Sequence, residues 1–147
     1  MSAFRRGSGV TLALLLAGGV LTGCGSDEEP TPAAASTAPG VGEVTTAEDG
    51  VQEITVQTQD DYTFIPAEFT VDPGTVRLRV INVAEEMTHN LEFSEGEGPA
   101  EIEEGVSILA PGDEKTIEFE VTIPGDYQYE CTFHLQLNQV GTMTVRG

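Results

Sequence analysis

The stretch Tyr127-Gln128-Tyr129-Glu130-Cys131-Thr132-Phe133-His134-Leu135-Gln136-Leu137-Asn138-Gln139-Val140-Gly141-Thr142-Met143-Thr144-Val145 falls into three pieces. Tyr127 to Glu130 alternates aromatic and polar residues, as a half-buried strand does. Cys131 to Gln139 is a tight loop carrying a thiol, an imidazole and the Gln139 amide. Val140 to Val145 alternates again and reads as a returning strand. Side chains in a strand switch faces with period two, so Cys131 falls on the face of Tyr127 and Tyr129.

Upstream of this hairpin the same period recurs. In Lys115 to Ile123, residues Ile117, Phe119, Val121 and Ile123 face inward, while Thr116, Glu118, Glu120 and Thr122 face out. Val76 to Val80 alternates as cleanly, and Val51 to Thr58 points Ile54 and Val56 one way. Tyr62 to Val71 is interrupted at Pro66, which predicts an edge or a switch between sheets. Thr88 to Phe93 is a further strand, followed by an acidic loop from Ser94 to Gly105. Asp72-Pro73-Gly74, Pro111-Gly112-Asp113 and Pro124-Gly125 supply turns. No stretch carries a convincing helical period, and there is no internal repeat. Seven or eight short strands without helices predict an all-β Greek-key β-sandwich over residues 51–147, one domain of ordinary size.

The amino-terminal end has a different composition. Arg5 and Arg6 precede an apolar run from Val10 to Leu21, which is too short to span a bilayer by the usual ~20 residues. Residues 1–23 therefore read as a secretory signal. Leu21-Thr22-Gly23-Cys24 resembles a bacterial lipobox, in which the Cys becomes the acylated first residue of the mature protein. That implies a lipid anchor at Cys24, exposed on the extracytoplasmic face of the bacterial cell membrane. Residues 25–50 are rich in Asp, Glu, Pro, Thr, Ala and Ser with few large apolar side chains, and read with Cys24 as a lipidated, flexible linker over 24–50. With Cys24 acylated, Cys131 is the one remaining thiol, and metal ligation is a reason for a lone thiol to persist in an oxidising compartment. A Cys24–Cys131 disulfide is the alternative.

The formal net charge of −19 would become about −21 on loss of Arg5 and Arg6, since residues 1–23 contain no acid. Such a chain has too few cations to hold phosphates, which excludes nucleic acid as a partner. The acidity favours solubility and attraction to a positively charged partner, and composition alone does not separate the two.

The chain has only two histidines, His89 and His134, and with Cys131 they are the candidate ligands. His89 shares a face with Leu91 and Phe93, so it points inward like Cys131. A lone buried His or Cys is commonly an ordinary core residue. Their combination is what points to a metal, because one Cys, two His and a weak axial donor form a blue-copper site. A thiolate suits Cu(I) and imidazoles suit Cu(II). Structural zinc prefers four strong ligands, and no fourth is visible.

Here the chain resembles the cupredoxins, the plastocyanin- and azurin-like blue copper proteins. The resemblance rests on Phe64-Ile65-Pro66-Ala67-Glu68-Phe69, Thr88-His89-Asn90, and the run from Tyr129 through Cys131 and His134 to Gln139-Val140-Gly141, and it covers residues 51–147. It implies His89, Cys131 and His134 as equatorial copper ligands and Asn90 as the residue that ties the ligand loops and hydrogen-bonds the thiolate. The family usually carries Met at the position of Gln139, and Gln139 is similar to the axial amide of stellacyanin-like members. Met143 is expected in the core, and Met87, two residues before His89, is not expected to take the axial place.

The resemblance implies a monomeric one-electron carrier, which the lipobox would tether to the membrane, with electrons leaving by His134 towards a redox partner such as a cytochrome c or an oxidase. Glu85, Glu86 and the acidic loop are placed to steer a basic docking surface, or to form a solvated rim. The alternative is extracytoplasmic copper delivery or storage, which the absence of a Met- or His-rich tract disfavours. A metal-free binding module and an enzyme fit less well: the first leaves the His, Cys, His set unexplained, and the second needs more His ligands than the chain has.

Overall fold

The computed structural model describes residues 37–147; the signal segment, Cys24 and the linker through residue 36 lie outside the described residues. The strands are β1 (Thr45–Thr46), β2 (Gln52–Thr58), β3 (Phe64–Ile65), β4 (Glu68–Val71), β5 (Gly74–Asn82), β6 (His89–Phe93), β7 (Val106–Leu109), β8 (Glu114–Val121), β9 (Gly125–Glu130) and β10 (Val140–Val145). A 3-10 turn at Leu135–Leu137 is the only helical piece among the described residues, and none of them forms a helix long and apolar enough to cross a membrane.

The expected all-β sandwich forms from two sheets. One runs β1-β2-β5-β8, with β3 also on β2; the other runs β4-β10-β9-β6-β7. Parallel pairs β2–β5 and β4–β10 sit among antiparallel ones, so the chain crosses between sheets rather than running as simple hairpins. Pro66 marks one crossing. Phe64–Ile65 pairs with β2 in the first sheet, and Glu68–Val71 pairs with β10 in the second.

The period-two pattern decides what is buried. Ile54, Val56, Val76, Leu78, Val80, Phe119 and Val121 from the first sheet meet Phe69, Val71, Leu91, Tyr127, Tyr129, Met143 and Val145 from the second in one core cluster. On the outer face Arg77 lies in register with Glu53 and Glu118 and bonds both, at 2.7 and 2.9 Å. These partly exposed pairs support the register and contribute little else.

The structure differs from the sequence reading in four places. Tyr62 to Val71 is two strands, and β7 and β1 bring the total to ten rather than seven or eight. β7 lacks clean alternation, with Ser107 and Ile108 both exposed. β1 lies within the stretch assigned to the linker: Gly42 N donates to Thr55 O at 3.0 Å, Thr45–Thr46 pairs with β2, and Val44 packs on the core. The two strand partners are backbone groups, which a Pro- and Thr-rich composition does not reveal. Finally, Ile123 is 46% exposed rather than inward-facing, because β8 stops at Val121. Its carbonyl instead accepts the Tyr127 hydroxyl at 2.8 Å.

Candidate metal centre

One end of the sandwich gathers the chemistry. His89 is the first residue of β6, Cys131 follows β9 directly, and His134 and Gln139 lie in the loop between β9 and β10. Each of His89, Cys131 and His134 offers one ligand atom, and these atoms all lie within 4.8 Å of one another. Cys131 Sγ is 3.4 Å from His134 Nδ1 and 3.9 Å from His89 Nδ1. Gln139 Oε1 is 3.0 Å from His89 Nδ1 and 3.1 Å from His134 Nδ1. Bonds of roughly 2.0–2.3 Å to one ion place neighbouring ligand atoms roughly 3.4–3.8 Å apart. The two Sγ–Nδ1 distances straddle that range, as a single ion requires, while Gln139 Oε1 stands at hydrogen-bond distance from both rings. Two imidazoles, a thiol and an amide oxygen match a copper site better than a structural zinc site.

The loop keeps its shape through its own backbone. His134 N donates to Cys131 O at 3.0 Å and Leu137 N to His134 O at 2.8 Å, closing tight turns. Asn138 then takes the left-handed conformation (φ 61°), which Asn tolerates better than most residues, and reverses the chain. Cys131 N donates to Gln139 O at 3.0 Å, so the last residue of the loop is tied back to the first.

Asn90 joins this loop to β6. Its backbone N–H points at Cys131 Sγ at 3.5 Å. Its side chain makes two bonds to the next residue: Nδ2 to Thr132 Oγ1 and Thr132 N to Oδ1, both 2.8 Å. His89 and Asn90 are adjacent yet both buried, which strict alternation forbids; the β6–β7 register shifts between His89 and Leu91, as at a bulge.

His89 depends on further braces. Asp60 accepts the backbone N–H groups of Glu85, Glu86 and Met87 at 2.8, 3.2 and 3.1 Å, and these bonds hold its carboxyl below the usual range. Asn82 Nδ2 donates to Met87 O at 2.8 Å and to Leu109 O at 2.9 Å. Burial lowers the His89 pKa, with the facing His134 ring acting the same way and the Gln139 bond opposing. The ring therefore favours the neutral form in which imidazole binds metals. Its Nε2 is buried without a hydrogen-bond partner of good geometry, although the nearby Gln59 backbone favours the protonated ring slightly.

Cys131, His89 and Gln139 are fully buried, whereas His134 is half-buried and so presents an edge to solvent. Tyr62, itself at a positive φ of 59°, sets its ring edge-on to His134 at 4.9 Å. Exposed Phe133, Leu135 and Leu137 surround that edge with apolar surface. A groove beside Thr132 is lined by Glu92, Glu95, Glu101, Glu103 and Glu130; burial raises the Glu92 pKa.

Every candidate ligand within the described residues thus comes to one place, with Asn90 alongside, while Met143 is a fully buried core residue in β10. Sequence reasoning missed Thr58, Asp60, Tyr62 and Asn82. Thr58 looks like the end of an amphipathic strand, Tyr62 like the start of the next and Asn82 like an ordinary polar residue after Val80; only Asp60-Asp61 carries the local signal of a turn.

A sequence profile described as copper binding proteins, plastocyanin/azurin family, matches residues 51–146. The chloroplastic plastocyanin minor isoform of Arabidopsis thaliana is 32% identical over 88 residues, which are 56% of this chain and 50% of that protein. The chain thus spans half the length of that curated relative. Among solved structures, dithionite-reduced auracyanin from the photosynthetic bacterium Roseiflexus castenholzii matches with a TM-score of 0.57 and 24% identity, covering 65% of this chain and 97% of that one. Auracyanin B matches with a TM-score of 0.56 and 21% identity, covering 76% of this chain and all of that one. At such identities both speak for the fold alone.

Proposed function

The chain belongs to the plastocyanin/azurin family of copper-binding proteins, and from that membership we propose that it carries single electrons between redox partners; from the lipobox-like Leu21-Thr22-Gly23-Cys24 we propose that it does so outside the cytoplasm, tethered to the membrane by a lipid on Cys24. Its cofactor is one copper ion. In this reading His89 Nδ1, Cys131 Sγ and His134 Nδ1 are the strong ligands and Gln139 Oε1 the weak axial donor. The observation that carries it is the convergence of these four atoms, with Sγ 3.4 and 3.9 Å from the two Nδ1 atoms and Oε1 3.0 and 3.1 Å from them.

Copper supplies the one-electron couple between Cu(II) and Cu(I). The Cys131 thiolate makes the site soft enough for Cu(I), and the imidazoles make it basic enough for Cu(II). Asn90, its Thr132 bonds and the knitted loop hold the ligand atoms in one arrangement for both states, which keeps reorganisation small. Both histidines of the chain are used at this one site, leaving none for the additional coppers of a catalytic centre.

His134 is the exit, because it alone of the four reaches the surface. A partner docks its redox centre on the apolar collar of Phe133, Leu135 and Leu137, while Glu85, Glu86 and the groove beside Thr132 attract its basic rim. A cytochrome c or an oxidase with such a surface fits. Ala38 N donates to Gln57 Oε1 at 2.9 Å, so the first of the described residues lie beside the end of β2.

A carrier and a delivery protein differ in what they release. For the purified copper protein, electron self-exchange is expected to be fast and copper loss to a chelator slow. Rapid copper release with slow self-exchange would instead mark the site as one for delivery or storage.

Gln139→Met tests the axial position. An amide oxygen is a harder donor than a thioether and favours Cu(II), so the Met variant is expected to have the higher reduction potential by voltammetry. An unchanged potential would remove Gln139 from the ligand set.

A further inference from the structure

Gln139 can present either a carbonyl oxygen or an NH2 group to the centre, and only the oxygen has a lone pair suited to a metal. We infer that Thr58 holds the oxygen-inward orientation: the Thr63 carbonyl, which can only accept, selects the NH2 end of the amide, and the buried Thr58 hydroxyl anchors that end so that Oε1 stays turned towards His89 and His134, making Thr58 a positioning residue for the axial donor. This rests on the reading of Gln139 as that donor.

The amide nitrogen has two hydrogens to place. Nε2 lies 2.7 Å from Thr58 Oγ1 and 3.4 Å from the Thr63 backbone oxygen. The Thr63 carbonyl only accepts, so a flipped amide would set two carbonyl oxygens against each other there. With both N–H groups directed at Thr58 and Thr63, the carbonyl is left facing the two Nδ1 atoms, at 3.0 and 3.1 Å. Thr58 and Gln139 are both fully buried, so no bulk water substitutes for a lost partner.

Thr58 is itself held by the first sheet. It is the last residue of β2, in register with Phe64 of β3 and Asn82 of β5, and its carbonyl accepts Val83 N–H at 2.9 Å. Gln139 leads into β10 of the second sheet. Their bond therefore crosses the sandwich at the ligand end, between residues 81 apart in sequence. A hydroxyl that cannot drift fixes an amide that otherwise could.

The experiment places Thr58→Val and Thr58→Ser in the wild-type and Gln139→Met backgrounds. It reads the reduction potential, the Cu(II) electron paramagnetic resonance spectrum, separate Cu(II) and Cu(I) affinities, and thermal unfolding of the metal-free proteins. Thr58→Val is expected to raise the potential part of the way to the Gln139→Met value. Cu(II) binding should weaken roughly ten- to a hundredfold, as is typical on losing a residue that orients a ligand, with Cu(I) binding nearly unchanged. Each tenfold change in that ratio is about 59 mV for a one-electron couple. Thr58→Ser keeps the hydroxyl and should behave as wild type. In the Gln139→Met background Thr58→Val should do nothing, because no amide remains to orient. Thr58→Ala gives the same reading if Thr58→Val destabilises the fold.

An equal shift in both backgrounds, or Thr58→Ser behaving like Thr58→Val, overturns the proposal by making the effect one of packing. If Gln139→Met shifts the potential and Thr58→Val does not, the role of Thr58 alone is overturned. If Gln139→Met itself shifts nothing, the axial reading falls and takes this proposal with it.

Discussion

Cys131→Ser is expected to give a folded protein that has lost both its intense colour and its tight hold on Cu(II). The colour of a blue-copper site arises from charge transfer from thiolate sulfur to Cu(II), and a serine hydroxyl, harder and un-ionised at neutral pH, cannot supply it. The affinity loss should exceed the ~10–100-fold typical of removing a mere supporting residue, because one of three strong ligands is gone. The fold should survive. Cys131 is a free, fully buried thiol that Ser nearly matches in shape, and the Asn90 N–H already directed at Sγ at 3.5 Å can be accepted by the hydroxyl. Burying a hydroxyl there costs about 1–3 kcal/mol, well within the stability of an ordinary domain. A visible spectrum and a Cu(II) titration, with circular dichroism on the metal-free protein, separate these effects. Retained colour in the Ser variant would remove Cys131 from the site, whatever the affinity.

Gly141→Ala is expected to destabilise the domain by about 3 kcal/mol. Gly141 and Tyr129 are direct cross-strand partners, and the Tyr129 ring lies over the place where a side chain at 141 would stand. A Cβ there would meet Tyr129 Cζ, Cε2 and the hydroxyl oxygen at 2.3, 2.4 and 2.5 Å. The ring has nowhere to go. It packs against Phe64, Phe69 and Phe93 at centroid distances of 5.2, 5.9 and 6.2 Å, and its hydroxyl donates to the Pro66 and Ala67 carbonyls at 3.0 and 3.1 Å. Overpacking costs typically 1–3 kcal/mol, and displacing the ring adds about 1 kcal/mol per hydrogen bond lost. A loss of about 3 kcal/mol corresponds to a fall of roughly 10–20 °C in Tm for a domain of this size. Thermal unfolding of the metal-free protein checks it; a shift of only a degree or two would mean that the strands part easily and Tyr129 is not the clamp described. Since Tyr129 leads to Cys131 by two residues, the copper protein should also show a disturbed spectrum.

Much of the fold was legible because it is encoded locally. Val76 to Val80 buries Val76, Leu78 and Val80 while Arg77 and Arg79 look outward, as period two demands. Pro66 signalled a change of sheet because a residue without an N–H cannot continue a ladder. Ile123 was misplaced for a related reason. Alternation predicts a face only while the strand lasts, and β8 ends before the Pro124 turn. β1 and β7 were invisible because each is held by backbone pairing to a neighbouring strand, β2 and β6, rather than marked by a pattern in its own side chains.

The candidate centre divides the same way. The sequence by itself determined which residues can bind a soft, redox-active metal, since it contains two His and, beyond Cys24, one Cys, and since strand alternation turns His89 and Cys131 inward. It also determined that Gln stands where the family usually carries Met. Only the tertiary structure decided how those groups are aimed. Thr58 meets the Gln139 amide from the opposite sheet, Asp60 holds the loop before His89 through three backbone N–H groups, and Tyr129 leaves room at 141 for nothing larger than Gly. These are contacts between residues tens of positions apart or across strands, and a hydrogen bond or a steric clash depends on where two chains meet, which no period within either chain records.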